Sequence, residues 1–141
     1  MCRSMLGDYI DRLAVDPGAA NPLFGFLGIE IVEMSAEEVV LRLPLKNEFH
    51  QGAGVVAGGV LSSLADEAMA HVAVHNLVEG EGTATIEMNL RFVRPITKGV
   101  ATARAKLVKK GKSVITLSAD VTDDKDRLVA QAGASFMIIR S

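Results

Sequence analysis

Two acids interrupt a run of small and apolar residues: Asp66 and Glu67, in HQGAGVVAGGVLSSLADEAMAHVAVH, residues 50–75. The run opens as a glycine-rich loop and turns, from Gly58 to about Leu77, into a stretch with the length and composition of one helix. The backbone N–H groups of GAGVVAGG are unobstructed by side chains, and the first turn of a helix offers unpaired donors with a partial positive charge. Donors of that kind suit a developing negative oxygen, and a carboxylate can attack a carbonyl or activate water. Together they are the two parts that acyl-transfer hydrolysis needs. The same residues also suit a plainer role, a tight turn followed by a surface acid.

On a helical wheel, Val60, Leu61, Leu64, Ala65, Ala68 and Val72 gather on one side, the side expected to meet a sheet. The opposite strip carries Gly59, Ser62, Ser63, Asp66 and Ala70 where a solvated helix would carry long charged residues. Small residues there admit a close neighbour, either a ligand or a second copy. Glu67, a quarter turn away, reads as a rim residue. Asp66 lies eight residues beyond Gly58, about 12 Å along a helix axis, too far for both to act on one carbonyl. If both do, they come from different subunits of a two-fold dimer.

The elements that must position these residues follow from periodicity. Residues 4–14 space Met5, Tyr9, Ile10 and Leu13 as a short helix, broken at VDPGAANP. IEIVEM and EVVLRLPL form a hairpin about Ser35, Ala36 and Glu37, and Pro44 ends its second strand. Residues 46–56 read as a loop before the long helix. Thr83 to Val93 alternates, with Ile86, Met88, Leu90 and Phe92 on one face and Thr85, Glu87, Asn89 and Arg91 on the other. Strands at 100–108, 113–122 and 128–139 follow, joined by KKGK and DDKD turns. Two strands, one helix and four strands make an α+β domain whose antiparallel sheet of about six strands curls around the helix. Arg104, Lys106, Thr116 and Ser118 then face water or another subunit. One domain spanning 1–141 is expected.

Composition narrows the partners. A net charge of −2, five phenylalanines, one tyrosine and no tryptophan leave neither a large basic surface nor a stacking platform, which excludes a nucleic-acid binder. With 49% hydrophobic and 23% charged residues the chain is globular, no apolar run is long enough to cross a bilayer, and a cytoplasmic address is expected. The single cysteine, Cys2, cannot form an internal disulfide, and its place near the terminus argues against a nucleophilic role.

GVVAGGVLSSLADEA followed by TIEMNLRFVRPITKG resembles the hotdog-fold acyl-CoA thioesterases, in the branch of the phenylacetate-pathway (PaaI-like) and hydroxybenzoyl-CoA thioesterases. The resemblance covers about residues 21–139. It implies a curved sheet wrapped on a central helix, and hydrolysis of an acyl-CoA thioester at a site shared between two subunits. Gln51, Gly58 and Asp66 occupy the family's amide, oxyanion-glycine and carboxylate positions with its spacing. The resemblance makes Gly58 N–H the group that polarises the carbonyl, Gln51 an orienting side chain, and the partner's Asp66 the nucleophile or general base. Thr85 matches an assisting hydroxyl, while Lys109, Lys110, Lys112 and Arg94 match residues that meet the coenzyme phosphates. No cofactor is implied beyond coenzyme A as part of the substrate, and a homodimer or homotetramer is expected. The family's His-Gly-Gly stands here as Ala57-Gly58-Gly59, without the imidazole, and His50 is the loop histidine that could fill part of its space.

Other readings compete. Glu67, His71 and His75 have a spacing that could hold a divalent metal, though His71 projects toward the apolar side and no metal is expected. A hotdog dehydratase would need a histidine–acid motif that neither His71 nor His75 provides. A non-catalytic acyl-CoA or fatty-acyl binding protein would keep the pocket and lose turnover, with Ala57 in its favour and intact Gln51 and Asp66 against it. Met69, Leu61 and residues near Phe24 and Phe49 are candidates for an apolar acyl pocket open to small aromatic and medium-chain groups.

Overall fold

The computed structural model describes residues 5–140; Cys2 and the first residue of the expected leading helix lie outside them. Helix α1 (Met5–Val15) is followed by two short helices where the sequence suggested only a break, α2 (Pro17–Ala20) and α3 (Pro22–Leu27). The prolines that stop one helix start the next. Each occupies the first helical position, where its missing N–H costs nothing, behind a side-chain cap from Asp16 or Asn21. Gly28, at φ 86°, closes α3 in the left-handed conformation, with its own N–H and that of Ile29 on the Phe24 carbonyl.

Strands β1 (Glu30–Met34), β2 (Glu38–Pro44), β3 (Glu81–Phe92), β4 (Val100–Lys110), β5 (Val114–Thr122) and β6 (Leu128–Arg140) form one antiparallel sheet in the order β1-β2-β4-β5-β6-β3. Helix α4 (Gly58–Val74) lies across it, preceded by a single 3-10 turn at Asn47–Phe49. The α+β reading and the sheet curled around one helix hold. Alternation explains the fit: Ala101, Ala103 and Ala105 of β4, and Ala130, Ala132 and Ala134 of β6, are buried on the helix side. These small residues leave room for Leu61, Leu64, Met69 and Val72 of α4, which are themselves buried.

Helix α4 stops at Val74, three residues before the expected end. Asn76 Nδ2 donates to the Val72 carbonyl at 2.8 Å and to the Ala36 carbonyl at 2.7 Å, and His75 Nδ1 donates to the His71 carbonyl at 2.7 Å. Side chains therefore take up last-turn carbonyls that further helix would have used.

The largest departure is in β3. A bulge between Thr85 and Glu87 inserts Ile86, so Thr85 pairs with Phe136, a buried residue of the helix side, while Glu87, Asn89 and Arg91 stay opposite the outward Ser135, Gly133 and Gln131. The strict alternation that set Thr85 with Glu87, Asn89 and Arg91 on one face is thereby corrected, because the extra residue shifts the strand's phase by one. Being outermost, β3 also leaves Ile86 50%, Phe92 52% and the adjoining Val93 57% exposed.

Candidate active site

The loop before α4 is built by backbone bonds. Ala57 N–H donates to the Phe49 carbonyl at 2.8 Å, Val56 N–H to Ile96 at 2.9 Å and Gln51 N–H to Val55 at 2.8 Å. His50 is structural: its Nε2 donates to the Thr97 carbonyl at 2.6 Å, tying this loop to residues 94–99. Ala57 is the N-cap and has no side chain to cap with, and the N–H groups of Gly58 and Gly59 find no acceptor among the described residues. A Ser, Asp or Asn cap would have closed part of this first turn; alanine leaves it open.

Gly58 is required for a second reason. A Cβ there would stand 2.9 Å from Phe92 Cζ, so the ring of Phe92 rests against the glycine. Gln51, Gly58, Leu61, Phe92, Val93 and Arg94 line one groove of about 410 Å³. The Gln51 Oε1 accepts the Ala53 N–H of its own turn, which leaves the amide NH₂ as its free donor. The structure thus brings together Gln51, Gly58 and Arg94. Phe92 was missed as a site residue; alternation placed it only on one face of its strand with Ile86, Met88 and Leu90.

The other expected residues lie apart within one chain. Asp66 is two turns along α4, half-buried, and its Oδ1 is buried with no hydrogen-bond partner among the described residues. Burial pushes its carboxyl above the usual carboxylate range. Ser62 and Ser63, on the same strip, donate to the Gly58 and Gly59 carbonyls at 2.8 and 2.9 Å and so are occupied. Thr85 stands on the helix side of β3 through the bulge. Lys109, Lys110 and Lys112 cluster where β4 turns into β5, next to Arg140 and the start of β3, at the opposite end of the sheet from Gly58. Of the residues expected to line an acyl pocket, Leu61 borders the groove, while Met69, Phe24 and Phe49 are packed into the core.

Glu67 and His71 lie beside a chain of hydrogen bonds that reaches α1 and Asn21. His71 is buried; its Nδ1 donates to the Glu67 carbonyl at 2.7 Å, and its Nε2 lies 2.7 Å from Tyr9 Oη. With Nδ1 protonated, Nε2 must accept from the Tyr9 hydroxyl, whose oxygen in turn accepts from Asn21 Nδ2 at 3.1 Å. Both ring nitrogens are engaged, and burial holds the imidazole pKa below its ordinary value.

A curved antiparallel sheet wrapped on one long helix, with open backbone donors at that helix's head, is the hotdog architecture of thioester hydrolases. The chain belongs to the thioesterase superfamily, whose family model matches residues 53–130. It is similar to a provisionally named esterase of Saccharolobus solfataricus, 29% identical over 124 residues and covering 86% of each chain. It is also similar to the 1,4-dihydroxy-2-naphthoyl-CoA hydrolase of Listeria monocytogenes, 29% identical over 103 residues, covering 73% of this chain and 84% of that one. Among solved structures, a phenylacetic acid degradation-related protein of Ralstonia eutropha superposes with a TM-score of 0.83 at 27% identity, covering 92% of this chain and 98% of the other. Among the described residues, no helix is long and apolar enough to cross a membrane.

Proposed function

We propose that the protein hydrolyses the thioester of a small aromatic or medium-chain acyl-CoA to the free acid and CoA, in the manner of the phenylacetate-pathway branch, at a site completed by a second copy of the chain. The observation that carries this reading is a separation. The open N–H donors sit at Gly58, and a buried carboxylate oxygen without a hydrogen-bond partner among the described residues sits two turns away at Asp66. Two antiparallel copies would close that gap. Strand β3 supports such a pairing, since it is an outermost strand with a free backbone edge and large exposed apolar side chains.

In this reading Gly58 N–H receives the oxyanion as the carbonyl carbon becomes tetrahedral, and the Gln51 amide orients the carbonyl or the water. Asp66 of the other copy either takes a proton from the attacking water or attacks the carbon itself, forming a mixed anhydride that water then opens. The C–S bond breaks, and the coenzyme leaves as thiolate and takes up the proton. Thr85 assists from the helix side of β3. Arg94 borders the groove and suits the coenzyme phosphates. An antiparallel pairing along β3 would carry the partner's Lys109, Lys110 and Lys112 toward the same end as Gly58, and so to those phosphates as well.

Thiol release from aromatic, short, medium and long acyl-CoAs tests the chemistry, with Asp66→Asn as control. Mixing Asp66→Asn with Gln51→Ala protein tests the sharing. Each heterodimer then has one undamaged site, so activity should return toward about half the wild-type rate per heterodimer. No return after verified subunit exchange would defeat the shared site.

A further inference from the structure

Glu67 and Asp66 are consecutive on α4, and the reading above uses only one of them. Two carboxylates so close repel, tend to share a proton, and could both reach a substrate lying along the outward strip. Yet their surroundings differ completely. Asp66 Oδ1 has no hydrogen-bond partner among the described residues, whereas the Glu67 carboxylate lies toward His71 on the other side. Its carboxylate Oε2 stands 3.6 Å from His71 Nδ1, and its side chain is only 19% exposed on that side of the helix. The Asn21 amide donates to Tyr9, which donates to His71, while Asn21 Oδ1 accepts the Leu23 N–H and so caps α3. The ring of Phe24 leans on His71 at 5.1 Å between centroids.

We propose that Asn21, Tyr9 and His71 form a positioning network that holds the Glu67 carboxylate off the outward strip of α4, so that Asp66 alone meets the substrate. This rests on the hydrolase reading for the role of Asp66, but the network itself stands on the geometry. Each of its hydrogen bonds has a fixed sense. Nδ1–H of His71 is committed to the Glu67 carbonyl, so Tyr9 can only donate to Nε2, and Asn21 can only donate to Tyr9. Helices α1–α3 are thereby written into the site. The charged and titratable groups facing the network are Tyr9 and Arg12 from α1, and Asp66, Glu67, His71 and His75 from α4.

Asn21→Asp is the sharpest test. It keeps the oxygen that caps α3 but removes the amide that donates to Tyr9, which loosens Tyr9 and His71 and frees Glu67 to swing toward Asp66. Carbon-detected NMR titration of the side-chain carboxylates in the intact protein reads the result without turnover. The Asp66 midpoint should rise by about 1 pH unit, and the acid limb of kcat/KM for the best thioester should move with it while KM stays within about twofold. Tyr9→Phe should shift the His71 Nε2 resonance and lower kcat several-fold, again at nearly constant KM. If Asp66 titrates and the acid limb falls as in wild type in both variants, with only thermal stability reduced, the network is structural and the proposal fails. Loss of all turnover in Glu67→Gln, with turnover kept in Asp66→Asn, would overturn it by making Glu67 the reacting acid. If wild type cleaves no thioester, the hydrolase reading fails, and the NMR titration still decides whether the network holds Glu67 aside.

Discussion

Two faces of α4, a quarter turn apart, obey opposite rules. Toward the N-terminal helices, His71 has both ring nitrogens engaged, Tyr9 both donates and accepts, and the Glu67 carboxylate stands 3.6 Å from His71 Nδ1. Toward the outward strip, and among the described residues, Asp66 Oδ1 is buried without a donor and the first-turn N–H groups at Gly58 and Gly59 are open. An unpaired buried polar group costs stability, about 1–3 kcal/mol where a hydrogen bond could have been made. A fold that satisfies one face and leaves the other short gives up stability on the face that the proposed function assigns to substrate and partner. The contrast separates the residues whose loss should damage turnover from those whose loss should damage the fold.

The largest effect expected is at Asp66. Asp66→Asn should lower kcat by about 10³-fold while the thermal midpoint holds or rises, because an uncharged amide replaces a carboxylate that burial already disfavours. Loss of stability in step with activity would break the contrast by putting Asp66 among the structural residues. Next comes Gly58→Ala, whose new methyl would meet Phe92 Cζ at 2.9 Å. Displacement of the ring and of the donor behind it should lower kcat/KM about 10- to 100-fold, and the added substitution Phe92→Leu should recover part of the loss. A double variant no better than the single one would show that the ring is not what the glycine accommodates. Smaller again is Lys109, Lys110 and Lys112→Ala, which should raise KM for an acyl-CoA about 3- to 10-fold at low salt with kcat preserved. An unchanged KM would remove these lysines from the site.

What could be read from the sequence divides along the same physical line. Alternation in β4 as far as Leu107, and in β5 and β6, was legible because each strand has neighbours on both sides and one face under α4, so burial enforces a period of two. The phase of β3 was not, because an outermost strand tolerates a bulge, and a single inserted residue at Ile86 re-aims Thr85 with no signal in composition. Gly58 and Asp66 stood out as open backbone donors and an isolated acid, features of local sequence, whereas Gln51 entered only through the family resemblance. Phe92 against Gly58, His50 on Thr97, and Tyr9 on His71 join residues 34, 47 and 62 positions apart. Periodicity carries no information about such meetings. Asp16 and Asn21 before Pro17 and Pro22 did carry the signal for α2 and α3, as caps followed by first-position prolines, and reading prolines only as breakers concealed it.

The smallest effect tests the satisfied face alone. His71 is neutral in the fold with its pKa lowered, chiefly by burial, so as pH falls through about 6.5 the unfolded chain gains a proton that the folded chain refuses. Stability should therefore drop below that pH, by at most about 1.4 kcal/mol per unit, until the folded pKa is reached. Asp66 and Glu67 work in the opposite sense. Their raised folded values make the fold hold protons more tightly, so their contribution is present at low pH and is lost as pH rises from about 4 through those values. Near pH 6 the imidazole should govern the slope, and the carboxylates should flatten it toward pH 4. Comparing the thermal midpoint at pH 7.5 and 5.5 for wild type should give a fall of about 3 °C. In His71→Phe, which keeps a ring against Phe24 but cannot take a proton, the midpoint should be lower at both values and nearly independent of pH between them. An equal slope in both proteins would mean that His71 is already charged in the fold. Tyr9 would then be receiving from Nε2 rather than giving to it, and the separation of the two faces would no longer rest on a neutral imidazole.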